Sequence, residues 1–154
     1  MHFQKSCSII IFMRIGTEKL TDRIQSGRSI YRSAKYFNDL GQYLDTTLSE
    51  FYNHVKNIPY KEDESAEIVG RPKYLFDFPA LDCKKKAVLI GSWLEAHGIP
   101  WRLIAVSERP DRQIHHVFNQ AWINNNWRNI DATYSDYKLF EAKPEVTAAE
   151  ELPR

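Results

Sequence analysis

Hydrophobic positions in the first third of the chain recur at intervals of three and four residues, which predicts α-helix. Residues 17–57 therefore form a helical region in two pieces that Gly41 separates. Gly27 is a predicted weak point of the first piece, and Pro59 ends the second. The apolar positions that carry this pattern are Leu20, Ile24, Ile30, Tyr31, Ala34 and Phe37, followed by Leu44, Leu48, Phe51, Tyr52 and Val55.

A further helix is predicted to begin at Cys83, because Asp82 is a good N-cap residue. Gly98 is a suitable left-handed stop for this helix, and Pro100 prevents its continuation. One face of the helix is apolar at helical spacing and consists of Ala87, Ile90, Gly91 and Leu94.

The pattern then changes to strands, at residues 101–107, 116–123 and 127–131. The turn between the last two strands is Asn124-Asn125-Asn126, and asparagine tolerates a positive φ. The fold class is therefore α+β, a single domain over residues 1–154 in which N-terminal helices and a Cys-bearing helix pack on an antiparallel sheet. The tail, residues 141–154, is rich in Ala, Glu and Pro and is predicted to be flexible.

The connection of residues 59–80 is long for a small domain and leads directly into Cys83. We expect it to build one wall of a cleft, with a solvated connector as the alternative. The four tryptophans are expected to pack the helix against the sheet.

Charge argues against two classes of partner. The net charge is +1, with 43% hydrophobic and 27% charged residues, so neither nucleic acid nor an anionic membrane has an electrostatic basis for binding. The apolar run at residues 8–13 is too short to cross a membrane and makes a poor signal peptide. Three interpretations of residues 1–12 remain: a leader upstream of a true start at Met13, a weak signal peptide, or a first strand. We favour the leader. Because no convincing signal peptide is present, we expect a cytoplasmic location.

Cys7 and Cys83 do not make a disulfide framework, and free thiols are the expectation. Cys83 lies at the positive end of a helix dipole beside Lys84 and Lys85, which favours the thiolate form. No cysteine pair or helical His spacing supports a metal site.

Acyl transfer by a thiol needs a nucleophile, a proton carrier and a group that orients the imidazole. His116 begins one predicted strand and Asp131 ends its hairpin partner, so the two side chains are expected at the same end of adjacent strands. His115 and His116 point to opposite faces, so only one of them can serve the helix.

These motifs resemble the transglutaminase-like superfamily within the papain-like group. The resemblance covers residues 81–134 and rests on Asp82-Cys83, Lys86-Ala87, Gly98-Ile99-Pro100, His116-Val117-Phe118, Trp127 and Asp131-Ala132-Thr133. Leu81 departs from the family's usual glycine before Asp-Cys. The resemblance implies a papain-like core with Cys83 as nucleophile, His116 as general base and acid, and Asp131 as orienting group, which leaves His115 at the solvent or rim.

The implied function is thiol-dependent hydrolysis of amide or peptide bonds in a protein or peptide substrate, as a cysteine peptidase or amidase, without a cofactor. Two alternatives remain open, which are transfer of the acyl group to an amine by a protein-glutamine transglutaminase and a non-enzymatic binding or structural module. The backbone N–H of Cys83 is one expected oxyanion donor. Tyr60 and Tyr74 are candidates for a second, and Trp127 is a candidate for the substrate cleft.

Overall fold

The helix that begins at Cys83 lies between a layer of helices and an antiparallel sheet in the computed structural model, which describes residues 18–62 and 70–154. The helices are α1 (Glu18–Ala34), α2 (Leu48–Asn57), α3 (Pro72–Leu75) and α4 (Cys83–Ala96), with a 3-10 segment at Phe37–Asp45. The strands are β1 (Trp101–Ser107), β2 (His116–Ile123), β3 (Asn126–Ile130) and β4 (Ala148–Leu152), in the order β3-β2-β1-β4. The α+β prediction is confirmed.

Helix α4 is buried on all sides, and not on one face alone as its apolar spacing indicates. Every residue from Cys83 to Leu94 is buried, including three consecutive lysines. Asp82 caps the helix as predicted, because its carboxylate accepts a hydrogen bond of 2.9 Å from the backbone N–H of Lys85. The helix is therefore the centre of the core.

Two glycines allow close approaches to the sheet. A Cβ atom on Gly91 would lie 2.6 Å from the Trp101 ring, so the indole at the start of β1 packs directly on the α4 backbone. Gly27 is wrongly predicted as a weak point, since α1 continues through it and Leu152 of β4 packs against it. At Gly91 the rigid indole leaves no room for a side chain, whereas at Gly27 the Leu152 side chain would have to move by a few tenths of an ångström to admit one.

The turn of the β2–β3 hairpin lies at the predicted asparagines but is one residue shorter, because Asn126 already belongs to β3. Asn124 and Asn125 have φ of 54° and 62°, and Ile123 pairs with Asn126 across them. The register continues to Asn119 and Ile130, so Asp131 follows directly after the last pair of β3.

The tail is not wholly irregular, contrary to the prediction of a flexible segment. Residues 148–152 form β4, which pairs with β1 from Leu103↔Leu152 to Ser107↔Ala148. Leu152 is buried in the core, and this burial fixes the strand. The composition of the tail does not reveal such a pairing, because its partner lies more than forty residues earlier in the chain.

The tryptophans divide into two pairs, of which only one is buried, so the expectation that all four pack α4 against the sheet is wrong for the other pair. Trp93 and Trp101 are buried, whereas Trp122 and Trp127 are 43% and 37% exposed. The exposed pair lies at the tip of the β2–β3 hairpin, with ring centroids 5.3 Å apart. Asn119 and Ala121 face α4, so Trp122 points to the opposite face of the sheet.

None of the helices in the described ranges combines the length and the apolar character that crossing a bilayer requires. The leader at residues 1–12 and Cys7 lie outside the described residues.

The contact between Gly91 and Trp101 yields a stability prediction. Replacement of Gly91 by alanine will lower the free energy of unfolding by about 1–3 kcal/mol, because the added methyl group overlaps the rigid indole. The measurement is urea unfolding followed by tryptophan fluorescence. Ser92→Ala, which removes only a hydroxyl bonded to the α4 backbone, is the control and will cost less. A Gly91→Ala variant as stable as the parent chain contradicts the close packing.

Candidate active site

His116 and Asp131 are brought together at the end of the β2–β3 hairpin, as the strand pattern predicts. The Nε2 atom of His116 lies 2.6 Å from Oδ2 of Asp131, and both side chains are buried. The Nδ1 atom of His116 is also buried and makes no hydrogen bond within the described part of the chain. One ring nitrogen is thus held by a carboxylate, and the other remains available for proton transfer.

The carboxylate of Asp131 is held in the ionised form. Its Oδ2 atom also lies 2.7 Å from Nζ of Lys143, and Oδ1 accepts a hydrogen bond of 3.1 Å from the backbone N–H of Thr133. Burial on its own raises the pKa of Asp131, but the charges of His116 and Lys143 outweigh it and lower the pKa below its usual range.

Cys83 is the first residue of α4 and is 1% exposed. The expectation of free thiols is wrong for this residue, because Cys83 is disulfide-bonded in the structure. Its predicted position at the helix N-terminus is confirmed, and the capping carboxylate of Asp82 precedes it.

Two contacts define how α4 runs along β2. The side-chain amide of Asn119 donates a hydrogen bond of 3.0 Å to the backbone carbonyl of Ala87. One turn later Gly91 meets Trp101, which pairs with Ala121 on β2. Helix and strand therefore run in the same direction, and the first turn of α4 lies towards the His116 end of β2.

Lys86 joins the first turn of α4 to two neighbouring segments. Its Nζ donates to the carbonyl oxygens of Lys56, Ile58 and Thr133, at 3.3, 2.5 and 2.9 Å. Three acceptors match the three protons of an ammonium group. Burial lowers the pKa of Lys86 to about 8, which the charge of Asp131 partly opposes, so the charged form still dominates at neutral pH.

A row of aromatic rings connects Tyr60 with His116. Tyr60 bridges to Leu81, two residues before Cys83. Its ring centroid lies 4.8 Å from that of Tyr134, which in turn lies 6.4 Å from the imidazole of His116. Burial raises the pKa of Tyr60 and of Tyr134, so both hydroxyls stay neutral.

Two of the residues proposed for the cleft lie elsewhere. Tyr74 is on α3 and is 54% exposed, where Lys73 stacks on its ring. Trp127 pairs with Trp122 at the hairpin tip, six residues along β2 from His116 and so about 20 Å away at strand spacing. The position of Trp127 in the motif resembles the family pattern, but its side chain does not reach the site.

His115 is buried and not at the solvent or rim as predicted. Its Nε2 atom accepts a hydrogen bond of 2.9 Å from the backbone N–H of Glu108. Burial, together with the nearby charges of His116 and Arg109, lowers the pKa of His115 to about 4. The residue therefore holds the β1–β2 connection as a neutral acceptor.

Lys84 and Lys85 are buried beside Asp82 and do not form a solvated flank. Their Nζ atoms lie 3.9 and 3.6 Å from Oδ2 of that carboxylate. The cations next to Cys83 are thus partly balanced by the residue that caps the helix.

A cleft of about 390 Å³ opens between the end of α2 and the segment after Asp131. Pro59 and Tyr60 line one side and Tyr134 lines the other, so the start of the long connection does form a wall beside the candidate site. Within residues 18–62 and 70–154, no three His, Cys, Asp or Glu side chains lie close enough together to hold a metal ion.

Four residues of this site escaped the sequence interpretation as site residues. Tyr134 and Lys86 lie beside the recognised motifs and could have been noticed by their position. Tyr52 of α2 places its hydroxyl 3.0 Å from the carbonyl oxygens of both Asp131 and Tyr137 and so fixes that segment. Lys143 has no local signal, because it lies in the tail and reaches Asp131 only through the fold.

Comparison with known proteins identifies the family of this chain. The family model of the transglutaminase-like superfamily matches residues 33–132. No curated protein matches the chain. A candidate cysteine protease from Cytophaga hutchinsonii is similar in structure, with a TM-score of 0.45 and 18% identity over 70% of this chain and 37% of that one. A candidate protease from Parabacteroides distasonis has a TM-score of 0.44 and 17% identity over 75% and 25%. The chain thus spans well under half of either protein.

We expect the buried His115 to make the free energy of unfolding sensitive to acid pH. The unfolded chain binds a proton near pH 6.5 and the folded chain only near pH 4, so stability falls as the pH drops through this window. We expect a loss of about 2–3 kcal/mol. His115→Gln, which keeps an acceptor and cannot be charged, will lose less between pH 6.5 and 4 in chemical denaturation. The exposed His54→Gln variant is the control, and equal acid sensitivity of all three proteins contradicts the assignment.

Proposed function

Because this chain belongs to the transglutaminase-like superfamily, we propose that it hydrolyses amide or peptide bonds through Cys83, His116 and Asp131. The observation that carries the proposal is the buried contact between His116 Nε2 and Asp131 Oδ2, which leaves Nδ1 of the imidazole for a thiol. The course of α4 along β2, with its first turn towards the His116 end, supports Cys83 as that thiol.

Acylation follows from these roles. His116 accepts the thiol proton through Nδ1, and the Cys83 sulfur attacks the carbonyl carbon of the acyl donor. The carbon–nitrogen bond then breaks, the imidazolium returns its proton to the leaving amine, and a thioester remains on Cys83. Asp131 keeps the ring oriented and stabilises its charge throughout.

Deacylation reverses the proton path. A water molecule gives a proton to His116 and attacks the thioester, and the thiolate leaves as a carboxylic acid is released. The sulfur then recovers the proton from the imidazolium. Both halves of the reaction need the thiol form, so the proposal concerns the protein after reduction of the Cys83 disulfide.

The first test measures thiol reactivity. In the reduced protein at pH 7, iodoacetamide will label Cys83 at least about tenfold faster than a free cysteine, since an imidazole partner raises the thiolate fraction. His116→Gln will slow this reaction, whereas His54→Gln on the exposed side of α2 will not. Peptide mapping by mass spectrometry follows each cysteine separately. Labelling of Cys83 no faster than a free cysteine, or a His116→Gln variant that reacts normally, contradicts the triad.

The second test determines whether water or an amine accepts the acyl group. Reduced protein is incubated with a peptide library, with and without a fluorescent primary amine, and Cys83→Ala is the control. Cleavage or deamidation that requires Cys83 supports hydrolysis, and incorporation of the amine instead identifies a transglutaminase. Absence of both reactions, with a biological effect that survives in Cys83→Ala, overturns the proposal in favour of a binding or structural module.

The oxyanion that forms on the carbonyl oxygen requires hydrogen-bond donors. The backbone N–H of Cys83 is the first donor that we assign, because Cys83 is the first residue of α4 and the opening amides of a helix favour negative charge. The neutral hydroxyl of Tyr60 is the better candidate for a second donor, because Tyr60 bridges to Leu81 and Tyr74 is exposed on α3.

This assignment predicts that the same substitution will have different effects on kcat at Tyr60 and at Tyr74. Tyr60→Phe will lower kcat about 10- to 100-fold with little change in KM, since the donor acts on charge that develops in the transition state. Tyr74→Phe is the matched control and will retain the parent rate. Equal effects of the two substitutions on the hydrolysis assay contradict the assignment.

A further inference from the structure

Lys143 shares one oxygen atom of Asp131 with the imidazole. Its Nζ lies 2.7 Å from Oδ2, the atom that His116 Nε2 contacts at 2.6 Å. The Lys143 side chain is only 10% exposed. Because both nitrogens contact the same atom, at 2.7 and 2.6 Å, they are at most 5.3 Å apart, a range in which two positive charges repel measurably.

Lys143 is held in place from several directions. Its Nζ lies 3.8 Å from the centroid of the Tyr137 ring and 5.1 Å from that of Phe118 on β2. The segment that contains Lys143 leads into β4, which the β1 pairing fixes. On the outer side, Lys143 lines a cavity of about 220 Å³ together with the acidic side chains Glu108, Asp136, Glu141 and Glu145.

The charges of this group change when the thiol transfers its proton. With neutral His116, the carboxylate and the ammonium group of Lys143 balance each other. When His116 becomes an imidazolium, the same carboxylate must serve two cations. The repulsion between them makes the imidazolium less stable than it would be in an Asp131–His116 pair alone.

We propose that Lys143 is a positioning residue that holds Asp131 and limits how strongly His116 retains a proton. The inference rests on the proposed function, since it assigns a role to the proton on His116. In the proposed reaction, His116 must both accept the thiol proton and release it to the leaving amine. A weaker hold on the proton favours the release step and reduces the resting population of thiolate and imidazolium.

The test compares Lys143→Met with Lys143→Arg, which keeps the charge, and with Lys138→Met at an exposed site nearby. In reduced Lys143→Met we expect Cys83 to react with iodoacetamide about three- to tenfold faster at pH 7, because the imidazolium is no longer repelled. The same variant will show a lower kcat in peptide hydrolysis, with KM little changed. Lys143→Arg will lie between Lys143→Met and the parent protein in both assays, because it keeps the charge but not the length of the side chain, and Lys138→Met will match the parent.

Opposite changes in labelling and turnover distinguish this role from a merely structural one. Loss of both activities in proportion to a lower melting temperature overturns the inference, and so does a Lys143→Met variant that is unchanged in both. Proton NMR of the His116 Nε2–H signal provides a readout without turnover. A shift of this signal in Lys143→Met but not in Lys138→Met supports the inference even where the thiol proves inactive, whereas an unchanged signal overturns it.

Discussion

The enclosure of α4 between helices and sheet is the constraint on which the site depends. A helix that is buried all round cannot shift without opening the core, so its first turn has one position relative to β2 and to the segment after Asp131. The close contact of Gly91 with Trp101 and the hydrogen bond from Asn119 to Ala87 set the rotation and the height of the helix. The site residues on the strands and on α4 are therefore already fixed in place by the fold, and little conformational entropy remains to be lost when they come together.

Burial at this site is accompanied by a balance of charges. Asp82 lies beside Lys84 and Lys85, and Lys86 finds its acceptors in backbone carbonyls. Asp131 contacts the ammonium group of Lys143 and the imidazole of His116. Desolvation of an isolated charge is costly, so each buried ion here is tolerated because a partner or a set of hydrogen bonds replaces water. These contacts also join segments that are distant in sequence.

Local patterns were sufficient for much of this structure. The hairpin that unites His116 with Asp131 could be predicted because its asparagine turn and its strand alternation lie within sixteen residues. The burial of Lys84–Lys86 could not, because lysine is rarely buried and its partners lie on other elements. The same holds for β4, for Lys143 and for the exposed position of Trp127, which depend on contacts over long sequence separations.

The pairing of β4 with β1 determines where the chain can be shortened. A truncation near residue 140, where composition alone would place the limit of the ordered domain, would leave the hydrogen-bonding groups along β1 without a neighbour. An open, largely apolar strand of this kind is a template for association between molecules, so the shortened protein would tend to aggregate. It would also lack Lys143, and rates measured on it would describe a chemically different site.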